Sequence, residues 1–118
     1  IFLGQIKGSK KINFIKKLDY FIHTSRSEGI SNSLLESLAL GVPVIISKET
    51  NMKNEIISNN CGFVLKKNNP KNISINLVKA LNVEIKSFYN MKKNSQKLVN
   101  NNFNWETIIK TKVKKLYN

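Results

Sequence analysis

The sequence predicts an α/β fold, a parallel sheet with helices on both faces that ends in two helices, and three observations lead there. Short β-branched or apolar runs alternate with helix-periodic segments from Ile1 to Leu81, and a helical segment between successive strands makes the strands parallel. The run VPVII between Val42 and Ser47 is apolar throughout, as a strand buried inside such a sheet would be. After Phe63-Val64-Leu65 no further strand pattern follows, only helical stripes.

Taken in order, Ile1–Leu3 reads as a strand and Lys10–Lys17 as a short helix of weak periodicity carrying Ile12, Phe14 and Ile15. Asp19–Ser25 is a second strand, which delivers the chain to a polar glycine loop. Asn32 and Ser33 are suited to cap the next helix, because their side chains accept from free backbone N–H groups. Its buried face holds Leu34, Leu35, Leu38 and Ala39 at three-and-four spacing. Gly41 stops it, Pro43 follows closely, and the VPVII strand begins. Thr50 or Asn51 is expected to cap a short helix through Ile56 and Ile57, and Asn60-Cys61-Gly62 to turn into the strand Phe63–Leu65. Asn68-Asn69-Pro70 is a helix start with proline in its first turn. That helix should bury Ile73, Leu77, Val78 and Leu81. A following one, from about Glu84 to Asn100, should bury Ile85, Phe88, Leu98 and Val99. The run Asn100-Asn101-Asn102 reads as a break, and Trp105, Ile108, Ile109, Val113 and Leu116 as the stripe of a last helix.

At 118 residues the chain is expected to form one domain, residues 1–118. It starts without Met inside the apolar run Ile1-Phe2-Leu3-Gly4, as though entered from an earlier part of a longer protein. The net charge of +13 comes mainly from lysine, with Arg26 the sole arginine. Such a balance is compatible with nucleic acid, anionic membrane or phosphorylated substrates. The lysines are spread along most of the predicted helices, however, without the clustered arginine and exposed aromatics of a nucleic-acid surface, so nucleic acid is not expected as a partner. One cysteine, Cys61, precludes an internal disulfide, and with a single histidine no cluster of nitrogen and sulfur ligands can form. Asp19 is the only aspartate, so no D-x-D metal-diphosphate motif is present and no metal or other cofactor is expected. No apolar stretch approaches the roughly 20 residues that span a bilayer. The expected location is cytoplasmic, with the basic face of Lys110, Lys112, Lys114 and Lys115 suited to peripheral contact with an anionic membrane.

The chemistry concentrates in Ser25–Ser47. A loop of small residues that opens a helix presents unpaired N–H groups and the positive end of a helix dipole, which is an anion site. Gly29 lets a phosphate approach the backbone, and Ser31, Asn32 and Ser33 add donors. Two carboxylates frame this loop, Glu28 and Glu36. Ionised carboxylates only accept hydrogen bonds, so their natural partners are sugar or ribose hydroxyls. A helical connection would set their Cα atoms about 12 Å apart, the scale of a ribose and a hexose across a pyrophosphate. A plainer alternative is that Ser33-x-x-Glu36 is a capping box, with Glu36 closing its own first turn, and that Glu28 is a solvated loop carboxylate.

The segment E-G-I-S-N-S-L-L-E-S-L-A-L-G-V-P-V-I from Glu28 to Ile45 resembles the E-x7-E signature of the fourth family of retaining, nucleotide-sugar-dependent glycosyltransferases of the GT-B fold. Glu28, Gly29, Glu36, Gly41 and Pro43 match it; Ser31 stands where proline is common, and Ser37 where alanine is usual. The resemblance implies that Glu28 is the catalytic-site carboxylate beside the donor sugar. It also implies that Ser25, Gly29, Ile30, Ser31 and Asn32 hold sugar and diphosphate, and that Glu36 takes the ribose hydroxyls. Asp19 and Ser25 fit the strand that precedes this motif, while Glu55, Gly62 and Val64 fit the run that follows it. In such enzymes the loop Glu49–Met52 lies near the sugar. The resemblance implies that the chain is a partial Rossmann-like, nucleotide-sugar-binding domain, part of the C-terminal half of a GT-B architecture.

The expected function is donor binding in a retaining hexosyl- or N-acetylhexosaminyl-transferase of polysaccharide or cell-envelope biosynthesis. It would use a nucleotide sugar, by preference a UDP-sugar, and a glycan or glycolipid acceptor bound mainly by an N-terminal domain. The fragment alone should turn nothing over. His23 reads either as a satisfied structural side chain or as a donor contact, and Arg26 either as a diphosphate ligand or as a solvated arginine. Two other readings share parts of this pattern: a non-catalytic basic α/β module binding nucleic acid or other polyanions, and another GT-B enzyme such as a sugar phosphorylase or epimerase.

Overall fold

The computed structural model describes residues 8–24 and 32–103. Three parallel strands, β1 (Phe21–His23), β2 (Val44–Ser47) and β3 (Gly62–Leu65), lie side by side in chain order. Among the described residues there are five helices, α1 (Ser9–Lys16), α2 (Asn32–Ala39), α3 (Lys53–Asn59), α4 (Pro70–Leu81) and α5 (Ile85–Phe103). This is the predicted α/β arrangement. The predicted strand Ile1–Leu3 and the stripe from Trp105 to Leu116 fall outside the described residues.

β2 is the centre of the sheet, with all four residues buried. Alternate side chains feed two cores, as the pleat requires. Val44 and Ile46 pack with Leu34, Leu35 and Leu38 of α2, Met52 and Ile56 around α3, and Leu98 and Val99 of α5. Ile45 points the other way, to Leu65 of β3 and Ile73, Leu77 and Ala80 of α4. Helices therefore cover both faces.

Several expected boundaries form as their residues dictate. Gly41 ends α2 at φ +79. Its N–H bonds the Leu38 carbonyl at 3.0 Å while Val42 N–H bonds Ser37 at 2.9 Å, the paired bonds of a Schellman stop. Asn69 caps α4 by accepting from Asn72 N at 2.9 Å, with Pro70 as the first helical residue. Asn60, left-handed at φ 53, closes α3.

Other expectations are corrected. Neither Thr50 nor Asn51 caps α3: its N-cap is Met52, without a side-chain cap, and the Thr50 hydroxyl lies 3.3 Å from that of Ser47 instead. In α4, Val78 and Leu81 are 55% and 76% exposed, and Asn76 takes their place inside. The stripe facing the sheet is Ile73, Asn76, Leu77 and Ala80, and Asn76 is tolerated there because its amide donates to the Asn72 carbonyl at 2.9 Å. In α5, Ile85 is 75% exposed; the buried residues are Met91, Ser95, Leu98 and Val99. Ser95 satisfies its hydroxyl on Met91 O at 2.7 Å. The Asn100–Asn102 run does not break the helix, which continues to Phe103. Asparagine is a mediocre helix former but carries no steric bar such as proline's.

α5 links the two sides of the sheet. Its first turns place Phe88 against Tyr20, ring centroids 5.4 Å apart, where the Tyr20 hydroxyl also donates to Ala80 O of α4 at 3.0 Å. Its later turns carry Leu98 and Val99 into the core formed by α2 and α3.

Candidate functional site

In an open parallel sheet, ligands gather beyond the carboxyl ends of the strands. Here β1 ends at His23, β2 at Ser47 and β3 at Leu65. The segments leaving these ends are residues 24–31, 48–52 and 66–69. Of the first, only Thr24 lies among the described residues. Ser25, Arg26, Glu28, Gly29, Ile30 and Ser31, which the sequence singles out, lie outside them.

Thr24, the residue that leaves β1, is tied to the segment after β3. Asn68, beyond β3, donates its side-chain amide to the Thr24 carbonyl at 2.8 Å. His23 stacks on Phe21, ring centroids 6.4 Å apart and planes 16° apart, as two residues on one face of a strand can do.

Asn32 and Glu36 share α2, one turn apart. Asn32 is exposed at the helix start, whereas Glu36 is only 8% exposed. The helix begins at Asn32, so Ser33 is inside it and does not act as its N-cap. Glu36 closes no capping box: among the described residues its Oε2 has no hydrogen-bond partner. Its neighbour is an ammonium group, Lys11 Nζ of α1, at 3.0 Å. The contact is close enough for an ion pair, although its angles are not those of a hydrogen bond. A carboxylate withdrawn from water is costly unless compensated, and Lys11 supplies the opposite charge.

The loop after β2 shows a second underused carboxylate. Residues 48–51 and 53–55 line an open cavity of about 490 Å³. Glu49 Oε2 in this lining is shielded from solvent without a hydrogen-bond partner among the described residues. An enclosed acceptor beside a polar cavity can take a hydrogen bond from a ligand hydroxyl. Among the described residues no group of three or more His, Cys, Asp or Glu could hold a metal ion. Nor is any helix among them long and apolar enough to cross a membrane.

Sequence reasoning missed Lys11 and Asn68. Both act on residues remote along the chain, and neither lies in a motif. The only signal for Lys11 was its place on the helix preceding β1, one of several lysines there.

The chain is similar to known proteins over most of its length. The pattern of the family described as Glycosyl transferases group 1 matches residues 1–102. An uncharacterized glycosyltransferase of Methanocaldococcus jannaschii is 29% identical over 111 residues, covering 92% of this chain and 28% of the relative. The capsular polysaccharide biosynthesis glycosyltransferase CapM of Staphylococcus aureus is 30% identical over 76 residues, covering 64% of this chain and 20% of the relative. A second uncharacterized glycosyltransferase of Methanocaldococcus jannaschii is 27% identical over 82 residues, 70% of this chain and 23% of its own. The chain thus spans less than a third of the length of the curated relatives it matches.

Proposed function

Because this chain belongs to the group 1 glycosyl transferases, with the Rossmann-like half-domain of a GT-B enzyme, we propose that it is the donor-binding part of a retaining, nucleotide-sugar-dependent transferase of the fourth family. The donor is a UDP-sugar, the transferred group a hexosyl or N-acetylhexosaminyl unit, and the acceptor a glycan or lipid-linked glycan. CapM, by its name an enzyme of capsular polysaccharide biosynthesis, supports such an acceptor. Residues 1–118 form one partial donor domain. An N-terminal domain supplies the general base and most of the acceptor site, and the enzyme works in the cytoplasm, at or near the membrane.

The observation that carries this reading is Glu36: a buried carboxylate whose Oε2, among the described residues, has no hydrogen-bond partner and meets the ammonium group of Lys11. Its free acceptor capacity suits the ribose hydroxyls. In this mechanism the nucleoside diphosphate leaves from the anomeric carbon. Backbone amides at Gly29, Ile30 and Ser31, with Ser25 and Asn32, stabilise the charge growing on the diphosphate, as preorganised donors do in other group transfers. Glu28 holds the sugar hydroxyls. No metal ion is required, since the helix-start donors take its electrostatic role.

Calorimetric titration of the full-length protein with UDP, GDP and ADP, repeated on Glu36→Ala, tests the reading. Selective binding of one nucleotide, weakened in the variant by more than about 1.4 kcal/mol, is expected. Binding unaffected by the substitution, or no binding at all, would overturn it and favour a site that recognises polyanions by charge alone.

A further inference from the structure

Lys11 has no place in the motif, yet it is the residue that meets the most deeply placed carboxylate of the described site. Lys11 belongs to α1, is about one-third exposed, and reaches across to Glu36 Oε2 at 3.0 Å. An ammonium group has three donors and stays mobile on its stem unless something holds it. A carboxylate has two oxygens and about four acceptor positions. A cation fixed against one oxygen restricts rotation of the carboxylate and leaves the other oxygen to accept from a ligand.

We propose that Lys11 is a positioning residue for ribose recognition. Resting on the reading of Glu36 as the ribose carboxylate, it holds that carboxylate in the orientation that accepts from the vicinal hydroxyls of a ribonucleotide. Lys11 thereby sets the discrimination between ribonucleotide and deoxyribonucleotide. α1 becomes part of the nucleotide site through this one contact, with no need for Lys11 to touch the ligand.

The test compares the affinity of the full-length protein for UDP and for 2′-deoxy-UDP and 3′-deoxy-UDP. The same three ligands are titrated into Glu36→Ala, Lys11→Met and Lys11→Arg, with thermal unfolding of each variant as a check on folding. If another nucleotide binds best, its own deoxy analogues replace these. The wild-type protein should prefer the ribonucleotide by roughly ten- to a hundredfold, the range of a charge-assisted hydrogen bond. Glu36→Ala should abolish that preference. Lys11→Met should cut it to within about threefold, while affinity for the deoxy analogues changes by less than about threefold. Lys11→Arg should retain most of it, since the guanidinium keeps the charge.

Two results would overturn the inference while leaving the reading of Glu36 intact. One is a Lys11→Met protein with undiminished ribose preference. The other is equal loss of affinity for all three ligands, which would make Lys11 a direct phosphate contact. Failure of the underlying reading looks different: no nucleotide binds, or Glu36→Ala keeps the ribose preference, and the inference falls with it.

Discussion

Asn68 and Thr24 join the exits of β1 and β3 across the end of β2, through the 2.8 Å bond from the Asn68 amide to the Thr24 carbonyl. Thr24 is the last described residue before the segment that carries Glu28 and Gly29, so this bond anchors the chain where it leaves β1. Asn68→Ala should destabilise the fold by about 1 kcal/mol, the net worth of one such bond. It should also weaken nucleotide binding several-fold by loosening the loop root. Urea unfolding and nucleotide titration on the same preparations check both effects. A stability loss with unchanged affinity would confine Asn68 to the scaffold.

Gly62 opens β3 directly opposite Val44, at φ +151. A Cβ there would collide with the Val44 backbone carbonyl, and backbone cannot rotate aside as a side chain can. Gly62→Ala should therefore cost at least about 3 kcal/mol or prevent folding. Gly41→Ala meets only the flexible Gln96 side chain, at 3.1 Å, besides its own φ of +79. It should cost less, about 1–2 kcal/mol. Denaturation midpoints of the two variants decide the order.

If the donor is a UDP-sugar as proposed, Glu49 offers a means to separate sugar from nucleotide. Its enclosed Oε2 and the cavity beside it place an unmet acceptor on the loop after β2. Glu49→Gln, which exchanges one of the two acceptor oxygens for a donor NH2 and removes the charge, should change the ranking of UDP-sugars by about tenfold, or 1.4 kcal/mol. Affinity for UDP itself should stay within about twofold. Competition titrations with several UDP-sugars measure this; parallel loss for every ligand would place Glu49 in the scaffold.

Burial raises the Cys61 thiol from its ordinary 9.0 to about 11. The folded state thus holds the proton that the unfolded chain releases. Stability from this group is complete below pH 9 and is lost as pH rises towards 11. The loss should be on the order of 2 kcal/mol, and Cys61→Ala should flatten that part of the pH profile. Tyr20, raised from its ordinary 10.0 by burial and by Asp19, adds a loss of the same sign as pH rises above 10.0. Labelling by a maleimide at pH 7.5 should be slow in the native protein and fast in urea, because the thiol is fully buried.

The segment from α2 through Gly41 to β2 was legible because each signal in it is local: a three-and-four stripe, a glycine that must turn left-handed, a β-branched run. Helix faces near the end were harder. α4 has more apolar residues than one face can bury, and only the position of the sheet selects Ile73, Leu77 and Ala80 over Val78 and Leu81. Asn76 and Ser95 could enter the interior because each bonds the carbonyl one turn back, a local remedy that polarity alone conceals. Within the site, the motif pointed to Glu36, but its partner is on another helix. No spacing rule reaches from Lys11 to Glu36.

The strand order has a kinetic corollary. Among the described residues β1 and β3 are not neighbours; each pairs with β2. Pairing of these three strands is therefore expected to proceed as two separate additions onto β2, each closing a loop of modest length. Truncating Ile45 should slow refolding because it weakens the shared seam, whereas truncating Phe21 or Leu65 should chiefly speed unfolding.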